Sequence, residues 1–327
     1  MEPIRIKARK GLLIALAVTL AGAALYLAFG NTDISRDYKN IDLTDRLSDT
    51  ELRLPPPGNG AERIFLFGFD RRTNPVEDAR QYIPFLKYLE KKTGYKFMLK
   101  FAEESALADE AGRGDVHFAI AGAGSYLVAR EKYGVIPLVR GLNEENKAEY
   151  RSVIVVASGS NINKIDELRD RRFAFGNIHS TQGHVIPRIA LEDHGISLKD
   201  LARYEFTGSH LNAANAVSSG RADAAGLQDV LGMRLAKEGF VRIIYTSRYY
   251  PSSGIFANKN VPSDVLKNIM KALVDFQPKG RDAAGLYRWD RTEMPNGFVA
   301  ALDEDYAEMR KYMIKFGIIP KSKKAAP

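Results

Sequence analysis

Apolar residues along this chain change their spacing in a regular order. Residues 63–69 (RIFLFGF) form a short apolar run rich in strand formers. Beyond Asn74-Pro75, the apolar residues Tyr82, Phe85, Leu86 and Leu89 recur at helical spacing within 79–92. Thr93-Gly94 stops that pattern, and 95–101 (YKFMLKF) reads as a second strand. A short helix at 104–112 leads into a third strand at 115–121 (DVHFAIA), and Gly122-Ala123-Gly124 breaks it before a helix at 126–132. The alternation restarts after 143–150. Strands are predicted at 152–157, 172–175, 204–206, 222–225 and 241–245, with helices at 165–168, 181 to about 194, 212–219 and 230–237. A strand at 253–257 and helices near 263–276 and 304–316 complete the chain. Short connections between alternating strands and helices predict an α/β fold with mainly parallel sheets, here in two lobes around a cleft. Ligands of such sheets sit beyond the C-terminal ends of strands.

One apolar stretch has no periodicity. Residues 11–30 (GLLIALAVTLAGAALYLAFG) run for twenty positions without a charge, which as a helix spans about 30 Å, the thickness of a bilayer core. Arg5, Lys7, Arg9 and Lys10 precede it, so the positive-inside rule keeps 1–10 in the cytoplasm and exports the rest. An uncleaved signal anchor is expected, in the inner (cytoplasmic) membrane with a single pass. A cleaved signal peptide is the alternative, against which stand the length of the stretch and its poor cleavage context at 25–29. Residues 31–61, with Pro55-Pro56-Pro57, read as a stiff extracytoplasmic tether. The expected organisation is then lobe 1 at 62–148 and 250–319, lobe 2 at 149–249, and a basic tail at 320–327.

Charge and composition narrow the function. The 327 residues carry a net charge of +8, but residues 1–10 and the tail hold +3 each, so the folded body is nearly neutral. No concentrated basic stretch of the kind nucleic acid requires is present. With no cysteine, disulfides, thiolate catalysis and a lipidated N-terminal Cys are excluded. His179 and His184 stand five apart, off a shared helical face, and no carboxylate cluster supports them as metal ligands. There is no P-loop, nucleophile elbow or recognisable pair of carboxylates. A protein that binds, without catalysis, cofactor or metal, is expected.

The candidate chemistry lies in 173–188 (FAFGNIHSTQGHVIPR), where a strand ends in a loop and Ser180-Thr181-Gln182-Gly183 opens a helix. The first N–H groups of a helix have no internal partner, its dipole favours an anion there, and hydroxyls add donors. An ordinary Ser/Thr cap is the alternative at this point. His210 follows Gly208-Ser209 after the strand at 204–206, where it can donate to an anion or be a solvated loop residue. Asp229 precedes a helix, as ligand acceptor or cap, and Ser125 in GAGSY (122–126) ends a third strand with the same two options.

Several segments in order resemble the phosphate/phosphite/phosphonate-binding component of ABC transporters, a type II periplasmic binding protein. They are Tyr82-Ile83-Pro84 with Tyr88-Leu89-Glu90-Lys91, Gly124-Ser125-Tyr126-Leu127, Tyr150-Arg151-Ser152, Ser180-Thr181-x-Gly183 with Pro187, Phe206-Thr207-Gly208-Ser209-His210, and Gly220-Arg221-Ala222-Asp223-Ala224. The resemblance runs from about residue 63 to 319. It implies a two-lobed fold with a hinge and central cleft. It also implies a ligand held by Ser180, Thr181, Gln182 and Gly183, by His210 and Asp229, and by Ser125 or Tyr126 from the first lobe. Gln182 stands where such proteins usually have a second Ser, and His184 where an aromatic is frequent, which bears on the ligand's identity. The implied role is capture of phosphate, phosphite or a phosphonate for an ABC permease by a monomeric protein. A tethered sensor of the same fold is the alternative.

Overall fold

In the computed structural model, which describes residues 63–70, 75–102 and 104–321, the alternating pattern folds into two sheets, each with its own core. The expected membrane helix at 11–30, its basic flank, the tether and all but the first two residues of the tail lie outside the described residues. Among those described, no helix is long and apolar enough to cross a membrane.

The first sheet takes β1 (Ile64–Asp70), β2 (Lys96–Ala102), β3 (Phe118–Ala121) and β4 (Ile136–Gly141) from before the second sheet. It takes β12 (Gly254–Ala257) and β13 (Phe298–Ala300) from after it, in the order β13-β4-β12-β3-β1-β2. Helices α1 (Pro75–Thr93), α2 (Glu104–Arg113) and α3 (Ala123–Tyr133) connect β1 through β4. α1 carries Glu77 and Asp78 in its first turn and Lys91 and Lys92 in its last, the arrangement its dipole favours. Its apolar face buries Tyr82, Phe85 and Leu89 against Phe67, Phe69 and Trp289. The Trp289 indole donates to the Met294 carbonyl at 3.0 Å, so the buried N–H is satisfied.

The second sheet comprises β6 (Ser152–Ala157), β7 (Arg172–Phe175), β8 (Arg203–Phe206), β9 (Ala224–Gln228) and β10 (Val241–Thr246), ordered β10-β6-β9-β7-β8. Its helices are α4 (Ile186–Asp193), α5 (His210–Ser218) and α6 (Asp229–Lys237). Helices on both faces make every strand but the edges apolar on both sides, and β9 is buried from Ala224 to Leu227.

The chain passes between the sheets after β4 and returns after β10. There β5 (Glu149–Tyr150) and β11 (Tyr250–Pro251) pair antiparallel, Tyr150 opposite Tyr250. The C-terminal helix α8 (Ala307–Lys315), which follows α7 (Ser263–Val274), touches both bodies. Arg310 pairs with Glu131 of α3 at 2.7 Å, while Lys315 pairs with Glu192 of α4 at 2.5 Å and Arg188 lies over Phe316 at 4.1 Å.

The sheets are mixed, which corrects the expectation of mainly parallel ones. β1 pairs parallel with β2 and β3, and β7 with β8 and β9, but β12 runs antiparallel to β3 and β4, and β6 to β9 and β10. A strand that returns from the other body enters its sheet from the opposite end. β4 and β13 escape the apolar pattern because one contains Pro137 and the other is three residues long and two-thirds exposed. The strand expected at 222–225 lies at Ala224–Gln228, so that its last residue, Gln228, lines the cleft.

Candidate functional site

A cleft of about 650 Å³ lies between the two bodies, where strand ends of both sheets face each other. Its base is built from the start of the helix after β7. A wide turn, Thr181–Val185, runs directly into α4. Ser180 caps it, its hydroxyl accepting from the Gly183 N–H at 3.1 Å, so the hydroxyl proton remains available to the cleft. The N–H groups of Thr181 and Gln182, first in the helix, have no partner within it. Ser180 and Thr181 are both buried, which places these donors in a low-dielectric wall where they act strongly on an anion.

His210 opens α5 across from Ser180. Its Nδ1 accepts from the Gln228 N–H at 3.2 Å, so in the neutral ring the proton sits on Nε2. Nε2 lies 3.4 Å from the Ser180 hydroxyl and is turned to the cleft. The two groups, thirty residues apart in sequence, thus present an O–H and an N–H side by side.

Thr181 joins the two bodies. Its hydroxyl oxygen accepts from the Gly124 N–H of α3 at 2.7 Å, completing the otherwise uncapped start of that helix from the other sheet. The contact requires glycine, since a Cβ at Gly124 would lie 2.1 Å from the His179 carbonyl oxygen. Close approach also explains Gly183. A Cβ there would stand 2.9 Å from the His210 ring and 3.1 Å from the Gly176 Cα. Gly183 therefore seats His210 and β7.

The remaining expected residues sit differently. Gln182 lines the cleft, but its amide nitrogen donates to the Arg151 carbonyl at 2.8 Å and toward Asp229 at 3.4 Å, tying the helix start to β6. Asp229 lies behind the wall and accepts from the N–H groups of Val230 at 2.9 Å and Arg151 at 3.3 Å. Burial pushes its pKa up, helped by the nearby Glu293 charge. Ser125 is fully buried with no hydrogen-bond partner for its hydroxyl among the described residues, and Tyr126 donates to Asp303 at 2.5 Å, so neither faces the cleft. From that segment Gly122 does. His184 packs edge-on against Phe175 and Phe206, donates its Nδ1–H to the Ile178 carbonyl at 2.7 Å, and has its pKa lowered to about 4 by burial. It is a neutral core residue, not a ligand contact.

Sequence reasoning missed Tyr150, Ser253 and Glu293. Tyr150 comes from the bridging ribbon, and its buried hydroxyl lines the cleft near Thr181. Burial raises its pKa, so it remains a donor. Glu293, 8% exposed, accepts from the Ser253 hydroxyl at 2.5 Å, and both line the cleft. Tyr150 stands in one of the family-like segments, which gave it no role, and no local motif marks Ser253 or Glu293, since each reaches the cleft through a long-range return of the chain. Among the described residues no group of three or more His, Cys, Asp or Glu is placed to hold a metal ion.

A buried helix start with hydroxyl, imidazole and phenol donors around it is an oxyanion receptor in form. Residues 67–306 match the family described as "ABC transporter, phosphonate, periplasmic substrate-binding protein". The chain belongs to this family. Its members are transport receptors and not enzymes. Among curated relatives it is similar to the phosphonates-binding periplasmic protein of Escherichia coli (strain K12), with 24% identity over 260 residues, 76% of this chain and 77% of the relative. Among solved structures it resembles PhnD1 from Prochlorococcus marinus (MIT 9301) in complex with methylphosphonate. The TM-score is 0.70 at 18% identity, over 79% of this chain and 99% of that one. It also resembles a binding protein component of an ABC phosphonate transporter from Pseudomonas aeruginosa, TM-score 0.68 at 18% identity, over 78% of this chain and 87% of that one. At these identities the structural likeness speaks to the fold alone, the one expected of a type II periplasmic binding protein.

Proposed function

We propose that this chain is an extracytoplasmic receptor that captures a phosphorus oxyanion, a phosphonate first among them, and presents it to an ABC permease. The observation that carries the reading is the pairing of the Ser180 hydroxyl with His210 Nε2 at 3.4 Å over the buried start of a helix. Thr181, Tyr150 and the first helix N–H groups complete a cage of donors. The bodies around the two sheets are the lobes, and the β5–β11 ribbon is the hinge about which they close. The Gly124–Thr181 hydrogen bond links them at the base. Residues 11–30 anchor the receptor to the membrane and 31–61 hold it off the surface.

Glu293 on the wall selects the ligand's protonation state. A carboxylate accepts from a ligand that keeps a proton, as phosphonate and phosphate monoanions do, and repels fully ionised sulfate. Titration calorimetry of the full chain, freed of bound ligand, against methylphosphonate, phosphite, phosphate and sulfate tests the reading. Binding of a phosphorus compound that Ser180→Ala and His210→Ala each weaken is the expected result. Absence of binding by all four, or binding indifferent to both substitutions, overturns it.

A further inference from the structure

The cleft is far larger than the oxyanion its base can hold. At the ~30 Å³ a water occupies in the liquid, an anion of five heavy atoms displaces about three waters, or on the order of 100 Å³. Most of the 650 Å³ therefore lies beyond the donor cage. That outer space is bounded on one side by one stripe of α6 and its end, Val230, Leu231, Arg234 and Glu238. Leu231, Arg234 and Glu238 recur at three and four positions beside Val230, and the stripe runs eight residues from Val230 to Glu238, about 12 Å at 1.5 Å per residue. Asp290 and Arg291, in the short turn Trp289–Arg291 of the first body, also line the cleft.

Among the described residues that line this outer space, the charges are balanced. Arg288 is matched by Glu77 at 3.0 Å. Arg234 and Arg291, Glu238 and Asp290 form no ion pair among the described residues. Two guanidinium groups and two carboxylates thus remain around an apolar strip made by Val230 and Leu231. Guanidinium recognises carboxylate by paired hydrogen bonds, and a carboxylate recognises ammonium. A neutral set of this kind suits neither a purely anionic tail nor a purely cationic one.

We infer that the ligand is an amino acid terminated by a phosphorus oxyanion, with the phosphorus group in the Ser180–His210 cage and a zwitterionic aminocarboxylate in the outer compartment. This rests on the receptor reading above and adds the substituent. The aliphatic link lies along Val230 and Leu231. Arg234 or Arg291 takes the carboxylate, and Glu238 or Asp290 the ammonium. The terminal group is a phosphonate or a phosphate monoester, and the probes separate these sources.

Titration calorimetry on the ligand-free full chain decides it, with 2-amino-5-phosphonopentanoate and O-phosphoserine as zwitterionic probes. 3-Phosphonopropionate supplies an anionic tail, 2-aminoethylphosphonate a cationic one, and methylphosphonate none. The expected result is at least tenfold tighter binding of a zwitterionic probe than of any other, with Arg234→Ala and Arg291→Ala reducing that ratio severalfold. The better of the two zwitterionic probes names the phosphorus source. Equal or tighter binding of methylphosphonate, or of either singly charged tail, overturns the inference and leaves the receptor reading standing. A ratio unchanged in both Arg variants also overturns it. If none of the five binds, the receptor reading itself fails and the inference with it.

Discussion

Gly124→Ala tests whether contact between the two bodies is part of ligand capture. An added Cβ would stand 2.1 Å from the His179 carbonyl oxygen, more than an ångström inside contact distance. The obstructing atom is backbone, so the loop at 177–181 must withdraw, and the 2.7 Å hydrogen bond from the Gly124 N–H to Thr181 is lost with it. Overpacking of this kind costs about 1–3 kcal/mol, and the hydrogen bond about 1 kcal/mol more. If ligand binding requires the contact, the sum of about 2–4 kcal/mol appears as a loss of affinity of roughly 30- to 800-fold. The substitution does not harm α3 itself, since alanine inside a helix is favoured over glycine by about 1 kcal/mol. The expected signature is a melting temperature within a few degrees of the parent's, with affinity for methylphosphonate strongly reduced in calorimetry. Parental affinity in a folded Gly124→Ala protein would refute the reasoning, because the two bodies would then bind ligand without meeting at this point.

Three further outcomes are expected. Ser180→Ala removes a helix cap, worth about 1 kcal/mol of stability, and in the proposed receptor also a charge-assisted hydrogen bond to the anion, worth about 1.5–3 kcal/mol. Calorimetry well below the melting temperature should show affinity reduced by about 10- to 150-fold, and an unchanged affinity removes Ser180 from the cage. Glu293→Gln takes a negative charge from the wall, so sulfate should gain at least tenfold relative to methylphosphonate in competition binding, and a constant ratio would disprove the selection by protonation. His184 is held neutral by burial with a pKa of about 4, against about 6.5 in the unfolded chain. Its depressed value means the stability is fully present above pH 6.5 and falls as the pH drops toward 4. The loss at pH 5 relative to pH 7 is about 2 kcal/mol from this group. His117, also lowered to about 4 by burial, acts in the same direction. Urea unfolding of His184→Phe at the two pH values should show a smaller loss than the parent, and an equal loss would place the acid sensitivity elsewhere.

What was legible in the sequence was local. Tyr82, Phe85, Leu86 and Leu89 mark the buried face of α1 because helical spacing alone puts them together. Ser180 and Thr181 are recognisable as the start of a helix after a strand because capping depends on a few neighbouring residues. His210 is readable for the same reason, at the head of α5 after β8. Order and spacing of such segments were enough to indicate the family.

The tertiary structure decided which of these groups meet. Tyr150, Ser253 and Glu293 reach the cleft through the bridging ribbon, β12 and the turn after Trp289, segments more than a hundred residues apart at their extremes. Asp229 lies behind the wall because β9 runs to Gln228, a boundary that strand pairing with β6 sets and local propensity does not. Ser125 and Tyr126 are turned inward because α3 packs its first turn against α8 and the turn before it. Gly124 must be glycine because a carbonyl from the other body arrives above it. Periodicity and capping are properties of neighbours along the chain and are written in the sequence. Which strand returns beside which, and hence which polar groups share one cleft, follows from burying the apolar faces of both sheets at once, and only the folded chain expresses it.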